Sequence, residues 1–111
     1  MNDLIELAKN GDKEAFTDLV LSIENDLYRI AQTRLSDTYD INDAIQNTMI
    51  NAYKHLKSLK NNNTFKTWII KILINECNQI YKSKKKKIEL FNKFKDSQLD
   101  NMVENSFNTV N

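Results

Sequence analysis

Residues 59–87 read LKNNNTFKTWIIKILINECNQIYKSKKKK. The stretch opens as a polar loop with three consecutive asparagines, becomes strongly apolar, and ends in a run of lysines. An amide or hydroxyl side chain just before an apolar periodic run can accept from the free N–H groups of a first helical turn. Asn63 or Thr64 is therefore the expected cap of a helix that starts here. Along it Phe65, Trp68, Ile69, Ile72 and Leu73 form one stripe, and Ile70, Ile74, Cys77 and Tyr81 form a second beside it. Two adjacent stripes leave only a narrow polar seam: Thr67, Lys71, Asn75, Asn78 and Lys82, with Gln79 at its edge. A helix buried on most sides in a chain of 111 residues needs other helices around it.

The preceding sequence supplies them. One glycine and no proline leave little material for the tight turns of hairpins, which favours long helices. Asn2 or Asp3 is the expected cap of a short first helix with Leu4, Leu7 and Ala8 inward, and Asn10-Gly11 is its stop. Asp12 caps a second helix, on which Phe16, Leu19, Val20, Ile23, Leu27, Ile30, Ala31 and Leu35 step by three and four. After a turn at Ser36-Asp37-Thr38, Asp40 is the expected cap of a third helix, with Asp43 at the capping-box position. Its inner face is Ile41, Ile45, Thr48 or Met49, Ala52 and Leu56. Its outer face carries Asp43, Gln46, Asn47, Ile50 and Lys54. Ile50 is either an isolated surface aliphatic or a contact for a partner helix.

Past Lys87 the periodicity weakens. Ile88, Phe91 and Phe94 can extend a helix and Leu99, Met102 and Val103 can make another, but the asparagines and acids between them favour a linker. The expectation is an all-α protein, a compact bundle of about four helices over residues 1–87, followed by a linker or mobile tail over residues 88–111.

Charge is segregated along the chain. Residues 1–53 hold four basic residues against ten acids, whereas residues 54–87 hold ten lysines against Glu76 alone. Such a block gains free energy by displacing counterions condensed on a nucleic acid. On the seam, lysines suit phosphates, and amides can both donate to and accept from base edges. The lysines at 84–87 either contact phosphates or serve the negative end of a helix. Phe65 and Trp68 fall on the apolar stripe, so core packing is preferred for them over a role as wedges between bases.

The same inventory narrows the function classes. A single cysteine, Cys77, excludes an internal disulfide and reads as a small buried apolar residue. One histidine, His55, gives no metal-ligand spacing. No apolar run approaches the roughly 18 residues needed to span a membrane, and acids stand where a secretory signal has basic residues. A cytoplasmic protein with no metal, no cofactor and no membrane insertion is expected. No acid, base and nucleophile converge at catalytic spacing, so an enzyme is not expected.

Three stretches, AKNGDKEAFTDLV at 8–20, DINDAIQNTMINAY at 40–53 and TFKTWIIKILINEC at 64–77, occur in an order and at separations that together are specific. In these the chain resembles region 2 of bacterial sigma factors of the sigma-70 superfamily, most closely the extracytoplasmic-function (ECF) group. The resemblance implies that the third helix docks on the coiled coil of the largest RNA polymerase subunit through Asp40, Asp43, Gln46, Asn47 and Ile50. It also implies that Leu59, Lys60, Asn61, Asn62 and Asn63 border a pocket for a base flipped from the non-template strand of the promoter −10 element. Thr67, Lys71, Asn75, Asn78, Gln79 and Lys82 would contact the neighbouring DNA. Holding the extruded base offsets a few kcal/mol of lost stacking and pairing, which favours melting. The chain departs from the family pattern at Asn47, often Glu, at Met49, often Phe, and at Leu59, often aromatic. The resemblance also implies that residues 88–111 lead toward the family's usual C-terminal helix-turn-helix domain, which lies outside these 111 residues. An interaction module held by an anti-sigma regulator, without direct DNA reading, is the alternative.

Overall fold

The residues that begin and end each helix set the architecture. The structure, a computed structural model, describes residues 1–110 and the side chains of residues 1–102. Four α-helices follow one another: α1 (Asn2–Lys9), α2 (Lys13–Arg34), α3 (Thr38–His55) and α4 (Phe65–Val110). Two 3₁₀ turns, Leu56–Ser58 and Asn62–Thr64, lie between α3 and α4. Among the described residues there is no strand, and the protein is all-α. The chain divides into two units, Met1–Ile80 and Tyr81–Asn111.

Local chemistry accounts for most boundaries. Gly11 closes α1 with φ +98°, a left-handed conformation, and a Cβ there would meet nothing within 4 Å. Backbone conformation, not space, is what calls for glycine. Asp12 caps α2 by accepting from the Ala15 N–H at 3.0 Å. Three starts differ from expectation. Met1, not Asn2 or Asp3, occupies the cap position of α1, and it makes no side-chain bond. Asp37 rather than Asp40 caps α3, accepting from the Tyr39 N–H at 2.8 Å. Asp37 is extended and so can reach back over the first turn, which leaves Asp40 inside the helix near the positive end of its dipole. Ahead of α4, Asn61 accepts from the Asn63 N–H at 3.0 Å, so the cap lies earlier than Asn63 or Thr64 and begins a 3₁₀ turn.

The core of the first unit gathers Ile5, Leu19, Leu27, Phe65, Ile69 and Leu73, none more than 1% exposed. Burying each such side chain contributes about 1.5–3 kcal/mol. Most residues of the stripes predicted for α2 and α4 therefore face inward, and among all residues predicted to do so Leu7 of α1 and Tyr81 of α4 are the exposed ones. On α1, Ile5 is buried and Leu7 is exposed, because a helix of eight residues offers more than one apolar stripe and only packing selects between them. On α4, Tyr81 is 57% exposed and is the first residue of the second unit.

Polar links fix how the helices meet. The Lys66 ammonium lies 2.8 Å from the Asp26 carboxylate and joins α4 to α2. Hydrogen bonding and charge from Lys66 hold the Asp26 carboxyl below its ordinary pKa of 3.8. The Tyr28 hydroxyl donates to Asn42 Oδ1, joining α2 to α3. Glu76, only 9% exposed, accepts from Asn51 Nδ2 at 2.7 Å and joins α3 to α4.

In the second unit α4 remains helical where the weak periodicity favours a linker. No glycine or proline occurs there to interrupt it. Ile88, Phe91, Phe94, Leu99 and Met102 are all exposed. The side chain of Val103 and the whole of Asn111 lie outside the described residues.

Candidate nucleic-acid interface

Burial of Phe65, Ile69, Leu73 and Cys77 turns the opposite side of α4 outward. Thr67, Lys71, Asn75, Asn78 and Gln79 are all exposed along that side in the first unit. At 1.5 Å rise per residue the strip is about 18 Å long, comparable to about five steps along one strand of duplex DNA. Lys82 is exposed and belongs to the second unit. Trp68 is half-buried, packs on the core and lies 6.0 Å from the Phe65 ring. It is a core residue along most of its surface. Burial pushes the Cys77 thiol above its ordinary pKa, which keeps it protonated and unreactive. Among the described residues no group of His, Cys, Asp and Glu is placed to hold a metal ion, and no helix is long and apolar enough to cross a membrane.

The asparagine loop is held from an unexpected direction. Lys9, in the last turn of α1, donates to the backbone carbonyl of Leu59 and to Asn62 Oδ1, the latter at 2.7 Å. The other end of the Asn62 amide donates to Glu6, and Asn2 donates to Asn63 Oδ1 at 3.1 Å. Thr64 closes the turn by donating to the Asn61 carbonyl at 2.7 Å. Both ends of the Asn62 side chain are thus engaged by α1. Leu59, 6% exposed, belongs to the core, whereas Lys60, Asn61 and Asn63 are exposed. Periodicity cannot reveal Asn2, Glu6 and Lys9 as loop partners. Their contacts span 50 to 61 residues, and in the sequence Lys9 looks like a solvated cation at a helix end.

The outer face of α3 is a second surface. Asp43, Gln46, Asn47 and Ile50 are exposed, Ile50 by 45%, while Asp40 is half-buried in the first turn. Two tyrosines missed in the sequence lie on the same face, Tyr39 at 83% and Tyr53 at 48% exposure. Positions 39, 43, 46, 50 and 53 alternate steps of four and three, the spacing of a seam against another helix. That signal was present in the sequence. The Tyr53 ring meets Phe16 edge-on at 5.1 Å, which limits its freedom.

With these surfaces defined, comparison with known proteins fixes the family. Residues 19–87 match the family described as Sigma-70 region 2. The chain belongs to this family. Relatives of this sigma region 2 chain include an ECF RNA polymerase sigma-E factor of Haemophilus influenzae, 35% identical over 72 residues, 65% of this chain and 38% of the relative. An ECF RNA polymerase sigma factor, SigW, of Bacillus subtilis is 31% identical over 71 residues, 64% of this chain and 38% of that one. The chain thus spans 38% of the length of each of these relatives. Among solved structures, an engineered region 2 of sigmaE, determined by NMR in complex with GTAAAA, matches with a TM-score of 0.72 and 26% identity. The match covers 79% of this chain and 92% of that one.

Proposed function

We propose that the chain is the promoter-recognition domain of an ECF-type sigma factor, acting with RNA polymerase in the cytoplasm. In this role α3 docks on the coiled coil of the largest polymerase subunit through Asp43, Gln46, Asn47 and Ile50, with Asp40 beside them. The loop at 59–63 and the α4 strip of Thr67, Lys71, Asn75, Asn78 and Gln79, continued by Lys82, take the −10 element and hold its non-template strand melted. The observation that carries the proposal is the exposed strip of α4. Over residues 65–79 the side of the helix opposite the buried Phe65, Ile69, Leu73 and Cys77 carries two kinds of polar side chain, one that neutralises phosphate and one that can read base edges. The bound GTAAAA of the related engineered domain supplies a probe of the right chemistry.

The test is a titration of labelled single-stranded GTAAAA, and of hexamers with one base changed, against the full chain with RNA polymerase core present. The wild type is expected to prefer particular bases, and Lys71→Ala with Asn75→Ala is expected to lose that preference and weaken binding at least tenfold. Equal affinity for all hexamers, unchanged in the double variant, would reject DNA reading and leave an interaction module held by a regulator.

A further inference from the structure

The contacts of Lys9 point to a role for α1 that the family match does not include, because that match begins at residue 19. We infer that Lys9 is a positioning residue for base recognition: it sets the shape of the loop at 59–63 on which a base would rest. The inference rests on the DNA-reading role proposed for the loop and α4.

Residues 59–61 sit between two 3₁₀ turns, and Leu59 and Asn61 are both extended. Such a short irregular segment keeps one shape only if its polar groups are tied. Lys9 supplies two ties at once, to the Leu59 carbonyl and to Asn62 Oδ1. Glu6 takes the remaining end of the Asn62 amide, so the side chain cannot turn over without losing both partners. Bonds from an ammonium are stronger than neutral ones, and Lys9 is half-buried, where water competes less. Leu59 anchors the same segment through its side chain in the core. The exposed groups left between these anchors are Lys60 and the outward faces of Asn61 and Asn63. Their placement against a base follows from where Lys9 and Leu59 hold the backbone, as pre-organised sites require.

Lys9→Met keeps the length of the side chain and removes its donors, while Lys9→Arg keeps charge and donors. Each is titrated with the hexamer series, at several salt concentrations and with polymerase core present, and amide hydrogen exchange is followed in parallel. Lys9→Met is expected to reduce the preference between hexamers about tenfold, as loss of a charge-assisted bond implies. The salt dependence and the exchange of core amides such as Leu27 and Ile69 should stay unchanged, while exchange at 61–63 accelerates. Lys9→Arg should restore the preference, and Asn62→Ala should reproduce the loss without altering α1. Unchanged preference in Lys9→Met and Asn62→Ala overturns the inference. So does a uniform loss with a salt slope shallower by about one, which would make Lys9 a direct phosphate contact. Both results leave DNA reading intact in the wild type, whereas a wild type without base preference removes DNA reading and this inference together.

Discussion

At the scale of single residues, Asp26 and Gly11 show how local environment becomes stability. Asp26 titrates below its ordinary 3.8 because Lys66 binds its carboxylate. A carboxyl with a depressed folded-state pKa stabilises the fold above its unfolded pKa, and that contribution is lost as pH falls through the folded value. Asp26→Asn should therefore melt below the wild type at neutral pH, and the two melting temperatures should converge as pH drops below 3.8. A gap that persists in acid would assign Asp26 to packing instead. Gly11→Ala isolates backbone strain, since the added methyl has no neighbour to strike. A loss of about 1–2 kcal/mol in urea denaturation is expected from the left-handed conformation alone. No loss would mean that the turn rearranges.

At the scale of elements, α3 presents two opposite faces, one packed inward and one proposed to dock on polymerase. Its inner face is joined to α4 through Asn51 and the nearly buried Glu76. Asn51→Ala removes the donor and leaves a partly desolvated carboxylate, which should cost about 1–3 kcal/mol. A urea midpoint that does not move would show that water replaces the amide. The outer face bears Asp43, and because Asp37 makes the cap, Asp43 is free of that structural duty. Asp43→Arg should leave stability within about 1 kcal/mol while abolishing capture of RNA polymerase core in a pull-down. Retained capture would take Asp43 out of the proposed docking face.

Over the whole molecule, what could be read in the sequence follows the range of the interactions involved. The stripes of α2 and α4, the Asp12 cap and the Gly11 stop depend on neighbours within a turn or two, and all are visible as spacing. The exposed strip of α4 follows from the same periodicity, as the complement of the buried stripes. The shift of the α3 cap to Asp37 turns on which of two nearby aspartates is extended, a choice that composition alone leaves open. Lys9, Glu6 and Asn2 could not be found this way, since they meet the loop only after α1 folds back across it. Leu59 differs again. Its identity suggested a surface missing an aromatic, whereas its burial makes it an anchor that holds the loop from beneath.

The measurement that bears most directly on the DNA reading proposed for this sigma region 2 chain is a residue-resolved NMR titration with single-stranded GTAAAA. Amide and side-chain shifts are predicted to concentrate at 59–64 and along Thr67, Lys71, Asn75, Asn78 and Gln79, with Tyr39, Asp43 and Ile50 unmoved. Shifts confined to the lysines at 84–87 would contradict it, leaving charge attraction in place of recognition.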